Sequence, residues 1–518
     1  MRRGAMLQPL RPGQRNRQIS RASSAPPPVG GWNRRDALDM MRPEDAIILD
    51  NWFPRESDVV SRRGYTSHCN SGSGATVDYL FEHFSGTTQK LLAFSGGDVW
   101  DVSTSTPSKT YDASLSGGWV GCMFNGKSFF ANGTDSALDF DGSSTWTATS
   151  WSGSGLASTA DLNYVFAFKS RLYFVEKNSQ SFWYGGTNSV TGTLTEFPLQ
   201  GVGNFGGNLL AVHSITHDGG EGLDDYFCAF MSSGEVIVYR GTGDPASFVL
   251  VGVYHIGPLV NKRALTRVGA ELLAITSDGY IPVTKVLRNA RSSPKQAISD
   301  KITQEASYVV KQHGSNSGWQ AIVYHKGPYV LINVPVSASS IQQHVMNLNT
   351  GAWCRFTGQA ATCWAIFADN LYFGNASGVV YKADNGFSDA GTAISTDAQT
   401  AWNYFGDRGR LKKFNAIRPI FVADGDPGAQ YGTGVDFETI VPTSALAVPS
   451  TTASYTWDDP ASIWDVATWG GAYRSARGWQ TTAGGIGYCA SLRVRTSNTA
   501  KDVQFQAINV LYEPGGLM

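Results

Sequence analysis

The histidines and aspartates whose spacing could bind a metal ion are few in this sequence. His213 and His217 lie four residues apart, and Asp218 follows directly. Histidines at this spacing bind one metal ion when both project from the same face of a helix. However, LLAVHSITHDGG has the residue types of a strand and a turn, which would separate the two rings. We interpret them as polar residues near a turn, with a metal site as the alternative.

Two aspartate pairs also lie in turn-like stretches. Asp139 and Asp141 belong to DFDGSSTW, which is similar to the structural aspartate turns of sialidase-like propellers. Asp424 and Asp426 could bind calcium, but ADGDPGAQ lacks the further oxygen ligands that a calcium site needs. We interpret both pairs as plain turns. The sequence therefore predicts no metal and no cofactor.

Residues in a catalytic pattern are equally scarce. The sequence contains no G-x-S-x-G elbow, no Cys–His signature and no carboxylate pair in a convincing context. A P-loop and a dinucleotide-binding fingerprint are absent too. We therefore expect no catalytic residues and no enzymatic activity. The six scattered cysteines form no CxxC pair and are expected to be free, mostly buried thiols.

Charge and hydropathy exclude some classes of partner. The 518 residues include 41 basic and 42 acidic side chains, and this balance gives no global attraction to nucleic acid or anionic lipid. No apolar run of about 18 residues predicts a spanning helix, so stable membrane insertion is not expected. The basic N-terminus lacks the apolar stretch of a secretory signal. We expect a soluble protein made in the cytoplasm.

Two clusters of side chains could support binding instead. An aromatic group could stack on sugars, anchor a protein interface or form a core; it comprises Trp457, Trp464, Trp469, Tyr473 and Trp479. A basic group could face a nucleic-acid channel or be a solvated strand face; it comprises Arg408, Arg410, Lys412, Lys413 and Arg418, with Arg493 and Arg495. All of these interpretations stay open.

The elements that must position these residues are mostly strands. Pairs of short apolar strands around Gly, Asn or Asp turns recur about every 40 to 50 residues, which is typical of β-propeller blades. The repeats begin at Lys90, Gly126, Ser170, Asp225, Ala270, Gly327 and Asp369. We predict a mainly β chain with a propeller of six or seven blades over residues 66–386. A pair of β-sandwiches is the alternative.

One helix is predicted as an insertion into the propeller, at 293–313. Ser293 can cap it, Pro294 suits its first turn and Gln296 completes a capping box. Its apolar face comprises Ile298, Ile302, Ala306 and Val309. Gly314 can end the helix. We expect this helix to decorate the propeller rim.

The regions outside the propeller have other compositions. Residues 1–28 hold six arginines and no acidic residue, and we expect a disordered or extended basic arm. This arm could touch nucleic acid or fold against a partner. Residues 29–65 form a docking segment that contains two tryptophans. Residues 387–518 are assigned to a separate all-β domain, such as a sandwich.

The docking segment carries a resemblance to a known family. GGWNRRDALDMMRPEDAIILDNWFPRESDVVSRRGY resembles the N-terminal region of tail nozzle, or hub, proteins of short-tailed bacteriophages, the tail tubular protein B-like family. WDVATWGG and LRVRTSNTAKDVQFQAINVLYEPGG resemble the endings of these proteins. The resemblance covers phrases at both ends with a compatible propeller between them.

The resemblance implies a structural protein of the virion tail. Six copies would form a ring below the head-to-tail adaptor, dock tail fibres or spikes, and surround the channel through which double-stranded DNA leaves. A propeller hydrolase acting on polysaccharide, or a carbohydrate-binding receptor-recognition protein, is the alternative.

Docking to a neighbouring subunit or the adaptor is assigned to the motif residues Trp32, Arg34, Arg35, Asp36, Pro43, Asp50, Trp52 and Phe53. The two tryptophans and Phe53 would anchor the segment by apolar burial. In PEDAIIL, we expect a helix that begins at Pro43, with Glu44 and Asp45 in its first turn and Ile47, Ile48 and Leu49 buried.

Overall fold

The computed structural model describes residues 20–143, 145–218, 223–287, 298–423, 427–446, 474–476, 478–481, 485–498 and 501–515. Strands dominate these residues, which confirms the mainly β class. The first six strands precede the first propeller blade: β1 (Arg21–Ala25), β2 (Gly31–Trp32), β3 (Asp45–Asp50), β4 (Trp52–Pro54), β5 (Val59–Ser61) and β6 (Tyr65–Asn70).

The next strands form four small sheets in chain order. Blade one comprises β7 (Val77–Ser85), β8 (Thr88–Ser95), β9 (Asp98–Asp101) and β10 (Ser108–Asp112). Blade two comprises β11 (Val120–Phe124), β12 (Lys127–Ala131), β13 (Leu138–Phe140) and β14 (Trp146–Ala148). Blade three comprises β15 (Trp151–Gly153), β16 (Leu162–Phe168), β17 (Arg171–Glu176), β18 (Ser181–Tyr184) and β19 (Gly192–Pro198). Blade four comprises β20 (Leu209–Asp218), β21 (Leu223–Met231), β22 (Glu235–Arg240) and β23 (Val249–His255).

Three more groups of strands complete the propeller. Blade five comprises β24 (Leu265–Val268), β25 (Glu271–Thr276) and β26 (Gly279–Pro282). Blade six comprises β27 (Gln320–Tyr324), β28 (Tyr329–Pro335), β29 (Ile341–Asn347) and β30 (Trp353–Thr357). Blade seven comprises β31 (Cys363–Phe367), β32 (Asn370–Gly374) and β33 (Val379–Ala383), and β6 supplies its fourth strand.

These sheets close into a ring, which confirms the propeller. Neighbouring sheets pack side by side in chain order, and β31 of blade seven packs against β7 of blade one. Six of the blades are separate small sheets. The place between β24 and β31 is filled by β27. Blade six therefore completes the ring of seven blades. Unlike the other six blades, it continues into a larger sheet.

The last nine strands lie outside the ring: β34 (Ile394–Thr400), β35 (Lys412–Ala423), β36 (Gln430–Val435), β37 (Ser444–Ala445), β38 (Arg474–Ala476), β39 (Gln480–Thr481), β40 (Ile486–Gly487), β41 (Ala490–Asn498) and β42 (Val503–Pro514). Blade six extends through β3, β34, β41, β36 and β37 into a ten-stranded sheet that also holds β2. The predicted additional C-terminal β region is therefore present, and one sheet joins its strands to the propeller.

An eight-stranded sheet packs over this extension. It contains β1, β4, β5, β35, β42 and the short strands β38, β39 and β40. A small cavity of about 140 Å³ lies between residues of both sheets, such as Ile417 and Leu492. We call these facing sheets outside the ring the two-sheet unit. Within the proposed arm, residues 21–25 are extended as β1, with Ser23 opposite Val510 of β42.

Both helices that were predicted from the sequence differ from the structure. PEDAIIL contains β3, because Leu49 pairs with Ala398 of β34 in a sheet that buries Ala46 and Leu49. The other helix, α2 (Thr303–His313), follows a 3₁₀ turn over Asp300–Ile302.

Ser293, Pro294 and Gln296 lie outside the described residues. The apolar residues Ile302, Ala306 and Val309 are buried in the main core, so α2 is part of the core rather than a rim decoration. Gly314 follows the helix as its C-cap. A short helix, α1 (Val283–Leu287), follows blade five, and 3₁₀ turns cover Thr159–Asp161 and Pro245–Ser247.

Tight turns hold the blade hairpins together, as the glycine patterns predicted. Gly234, in the turn between β21 and β22, has a φ of 88°. A Cβ there would lie 2.4 Å from the carbonyl carbon of Gly257. Such a left-handed, close-packed position requires glycine.

Candidate docking surface

The anchor predicted at Trp52 lies inside its own chain. Trp52 has no exposed surface, and its ring centroid lies 6.4 Å from that of Phe421 and 6.3 Å from that of Phe505. Phe421 and Phe505 belong to β35 and β42. The prediction that Trp52 anchors a partner is therefore wrong, because its contacts join the N-terminal segment to the two-sheet unit.

Trp32 is buried too, beside blade six. Its ring meets His344 edge-on at a centroid distance of 5.4 Å, and the Arg355 guanidinium lies 5.4 Å from the ring centroid. Arg355 donates two hydrogen bonds, of 2.7 and 2.6 Å, to the Asp50 carboxylate. Burial lowers the pKa of His344 to about 3, so this ring is neutral. Trp32 and Asp50 therefore fix β2 and β3 to blade six and are not free for docking.

Phe53 is half-buried over the end of blade six. Its ring lies 5.9 Å from Tyr329 and 6.5 Å from Phe356. All three aromatic anchors of the motif thus pack within the chain. The sequence could not separate a surface anchor from an internal one, because both require the same apolar side chains.

Most residues between Trp32 and Pro43 lie at the surface, although Asn33 and Met41 are buried. We call residues 33–44 the docking loop. The Asn33 side-chain oxygen accepts hydrogen bonds from the backbone N–H groups of Arg35 and Asp36, at 3.0 and 3.1 Å. Its amide nitrogen donates to the carboxylates of Asp36 and Asp45, at 2.9 and 2.8 Å. This buried asparagine holds the start of the loop in one conformation.

Ion pairs attach the docking loop to the segment before α2. Arg35 binds both Asp36 and Asp300, and the hydrogen bond to Arg35 lowers the pKa of the Asp36 carboxyl. Arg34 lies 3.7 Å from Glu305. Below the loop, Lys301 donates to the buried Asp45 carboxylate at 2.7 Å. The structure thus brings Arg34, Arg35 and Asp36 together, and they position the loop.

The centre of the docking loop exposes two apolar side chains. Leu38 is 43% exposed and Met40 is 64% exposed. Arg408 supports this part of the loop from the other side, where it donates to the carbonyl oxygen of Asp39 at 2.9 Å. Its guanidinium lies 4.5 Å from the Tyr404 ring. Exposed apolar groups on a fixed loop are suited to contact with another protein.

Sequence reasoning missed Leu38 and Met40 as docking residues. The signal was present as DALDMM, in which apolar residues interrupt an otherwise polar turn. Pro43 follows them as an exposed residue at the end of the loop. The prediction chose the two tryptophans as anchors instead, because their side chains are larger.

The predicted basic residues do not form one face. Lys412 is only 1% exposed, and its ammonium donates to the backbone oxygens of Asp407, Arg410 and Tyr488. Burial lowers the pKa of Lys412. This residue secures a turn, so its assignment to a channel face is wrong.

Arg493 and Arg495 share one acidic partner. Both donate to the carboxylate of Asp397 on β34, Arg493 at 2.6 Å and Arg495 at 2.8 Å. The hydrogen bond to Asp397 raises the pKa of Arg493. The single carboxylate offsets one of their two positive charges, so these residues form part of an ion-pair cluster with Asp397. Arg408 and Lys413 are exposed, whereas Arg410 is half-buried and lies 3.4 Å from Asp407.

Of the predicted aromatic group, Trp479 alone lies within the described residues. Trp457, Trp464, Trp469 and Tyr473 lie outside the described residues. Trp479 is 45% exposed, and the guanidinium of Arg418 lies 5.9 Å from its ring.

A polar cleft of about 690 Å³ lies between the docking segment, blades six and seven, and the two-sheet unit. Arg63, Lys326 and Asp384 are among its charged residues. Burial raises the pKa of the Asp384 carboxyl, although Arg63 and Lys326 act against this rise. Gln359 also lines the cleft, and its buried side-chain oxygen has no hydrogen-bond partner. Such a cleft could hold an uncharged polar ligand.

The histidine and cysteine residues that were considered for metal binding or nucleophilic chemistry are packed within the fold. His213 stacks on Phe166 at 4.6 Å, and burial lowers its pKa to about 4. Within the described parts of the chain, no cluster of metal-ligating side chains is present. The six cysteines are free, and all but Cys122 are buried, as expected. Burial raises the pKa of the Cys69 and Cys489 thiols to about 11.

The turn prediction is wrong for Asp139, which lies in β13, and fits Asp141, which follows that strand. Asp139 accepts hydrogen bonds from Lys127 and Thr147, at 2.8 and 2.7 Å. Asp141 accepts from Ser143 across its turn. Asp424 and Asp426 are outside the described residues. None of the described helices is long and apolar enough to cross a membrane.

Comparisons with known proteins give a likeness of fold. No protein-family model matches the chain, and no curated protein matches it. A solved structure of BBS1N in complex with ARL6DN is 9% identical, with a TM-score of 0.39, and the match covers 62% of this chain and 97% of that one. YCF48 bound to D1 peptide is 9% identical, with a TM-score of 0.38 and the same coverages. BamB from Moraxella catarrhalis is 12% identical, with a TM-score of 0.33 and coverages of 64% and 95%. These similarities carry no argument about what the chain binds.

Proposed function

We propose that this chain is a structural virion protein that forms a hexameric nozzle, or hub, in the tail of a short-tailed bacteriophage. In this proposal the ring lies below the head-to-tail adaptor and carries the tail fibres or spikes. It surrounds the channel through which double-stranded DNA leaves, and the protein acts without a cofactor and without catalysis. The proposal starts from the resemblance of both ends of the sequence to that family.

The observation that supports it most is where those two ends lie. The N-terminal phrase supplies β3 and β4, and the C-terminal phrase supplies β41 and β42. Trp52 of the first phrase packs on Phe505 of the second. The described N-terminal and C-terminal stretches that carry the resemblance thus pack together beside the propeller, as expected if they serve one shared task.

The docking loop gives this unit a surface for assembly. A ring of identical copies needs a heterologous contact that closes by rotation. Obligate contacts of this kind bury on the order of 2,000 Å² or more and have an apolar centre. Leu38 and Met40 would contribute to that centre, and the ion pairs of Arg35 would keep the loop in place.

Electron microscopy with single-particle mass measurement tests the proposal. The purified protein, alone and mixed with its adaptor complex, is expected to form sixfold rings seated on the adaptor. A monomer that stays apart from the adaptor would contradict the proposal.

A matched pair of variants tests the docking loop in the same assay. Met40→Asp places a charge at the exposed centre of the loop and is expected to lower ring or adaptor assembly about tenfold or more, without loss of thermal stability. Phe84→Asp is the control, because Phe84 is 57% exposed on blade one, away from the loop. Equal assembly by both variants would exclude the loop from the contact.

The carbohydrate alternative is favoured by one observation, the polar cleft beside Arg63 and Asp384. If it holds, purified protein should bind oligosaccharides from host capsule or lipopolysaccharide, and Asp384→Asn should abolish this binding. Release of sugars from these polymers would indicate a hydrolase instead.

A further inference from the structure

The loop between blades four and five reaches across the ring. It covers residues 257–264 and connects β23 to β24. In the seven-membered ring, blade five lies opposite blades one and two. The loop nevertheless bonds to residues of blades one, two and three. A connection attached to blade five can reach those blades only by crossing the propeller axis.

Lys262 makes the contact with blades two and three. Its ammonium donates to the backbone oxygen of Asn163 at 2.9 Å and to the side-chain oxygen of the same residue at 2.5 Å. It also donates to the backbone oxygen of Asn132 at 3.2 Å. All three ammonium hydrogens therefore have neutral oxygen acceptors, which come from the end of β12 and the start of β16.

Arg263 makes the contact with blades one and two. It donates to the backbone oxygen of Trp119 at 3.0 Å and to that of Asp78 at 2.9 Å. Its guanidinium lies 4.6 Å from the centroid of the Tyr79 ring. Trp119 directly precedes β11, and Asp78 is the second residue of β7.

Blades five and six are held by the same loop. The Asn261 side chain donates to the backbone oxygen of Trp319, directly before β27, at 3.1 Å. The backbone N–H of Val260 donates to the carbonyl oxygen of Ile275 in β25 at 3.1 Å. Most of these acceptors lie at the starting ends of the innermost strands. The loop therefore lies over one mouth of the axis.

We propose that residues 257–264 are an axial plug that locks blades one, two and three to blades five and six and closes the propeller axis. The lock acts together with the pairing of β6 and β33, which closes the ring at its edge. Four of the five hydrogen bonds from Lys262 and Arg263 go to backbone carbonyls, which suits this task because a backbone acceptor does not depend on a partner side chain. The plug stands on the propeller alone and does not need the proposed function.

For the proposed function, the plug decides where DNA can pass. The propeller axis is closed by side chains, so a passage in a ring of copies lies between subunits. This consequence rests on the proposed function, whereas the lock itself does not. The two can therefore fail separately.

Hydrogen–deuterium exchange on the full chain tests the lock. The double variant Lys262→Met/Arg263→Met keeps the length of both side chains but removes their donors. Amide exchange in β7, β11 and β16 is expected to become about tenfold faster, because these strands lose their tie to the plug. Exchange in β35 and β42 should stay as in the unaltered protein.

Lys169→Met is the matched control. Lys169 is exposed, and its ammonium donates to the backbone oxygen of Gly241 at 3.0 Å, away from the plug. This control should leave exchange in β7, β11 and β16 unchanged. The lock is refuted if the double variant exchanges like the control, or if exchange rises equally in the two-sheet unit.

Chemical labelling of the unaltered protein gives a second test that does not depend on a folded variant. At about pH 10.5 even an ordinary lysine is half neutral, so enclosure rather than protonation then decides how fast an amine-reactive ester acylates a lysine. Because Lys262 is enclosed by its three hydrogen bonds, at this pH it should react about tenfold more slowly than the exposed Lys169. Equal labelling of both lysines would show that the plug is not seated in the mouth, and would overturn the proposal.

Discussion

At the scale of single residues, the sequence identified important side chains but not their partners. The motif tryptophans are as central as their size suggested, yet Trp52 contacts Phe421 and Phe505 of its own chain. Those partners lie more than 350 positions away along the sequence. Burial by distant strands is a property of the complete fold, so a local pattern could not indicate it.

Trp52 leads to a prediction about stability. Trp52→Ala should lower the free energy of unfolding by about 3–5 kcal/mol, because it removes a fully buried ring and leaves a cavity. Trp479→Ala is the control, because this ring is 45% exposed, and it should change the value by about 0.5 kcal/mol at most. Urea unfolding followed by circular dichroism gives both values. A loss below about 1 kcal/mol for Trp52→Ala would contradict the packing described here.

Lys262 leads to a prediction about pH. Burial, and secondarily Arg263, lowers its pKa in the folded protein to about 7 from the ordinary 10.5. Between these values the unfolded state binds more protons, so this lysine makes the free energy of unfolding rise with pH. Relative to Lys262→Met, the rise should approach at most ~1.4 kcal/mol per pH unit. Urea unfolding from about pH 7 to about pH 10 would show parallel curves for both proteins if the pKa were ordinary.

At the scale of elements, the turn residues predicted the hairpins of the blades, whereas the secondary structure of a segment outside the repeats was predicted wrongly. Repeated hairpins with glycine turns located each propeller strand pair in the right region. PEDAIIL was misassigned because its acids suit a helix start as well as a buried salt bridge. Asp45 in fact pairs with Lys301, which lies far away in the sequence. The partner strand β34 then fixes this segment as β3.

The early strands lead to a prediction about truncation. Deletion of residues 1–60 removes β1, β2, β3 and β4 together with most of β5, but leaves β6 to close blade seven. We expect limited proteolysis to cut the two-sheet unit rapidly while fragments of the propeller persist. Deletion of residues 1–19 removes no described strand and should leave the digestion pattern unchanged. Resistance of the two-sheet unit in the longer deletion would contradict its dependence on these strands.

At the scale of the whole molecule, composition and repeats were enough for the fold class but not for the boundaries. A propeller and an added β region were predicted, and both are present. The sequence did not indicate that the C-terminal β region shares a sheet with the propeller, in which blade six continues through β3 into β34 and β41. Similarly, HIGPLVNKRAL has no strand or helix pattern, and only the closed ring reveals the contacts of Lys262 and Arg263 across the axis.

The position of β1 and β3 has a consequence for how the protein is made. β1 pairs with β42, and β3 lies beside β30 and β34, so these long-range partners of β1 and β3 are missing until most of the chain has left the ribosome. Such long-range pairings slow folding, and unpaired strand edges favour aggregation in the meantime. We therefore expect the blades to form first during synthesis, with the N-terminal strands added last. The final step of folding would then join the two ends of the polypeptide and present the docking loop only on completed molecules.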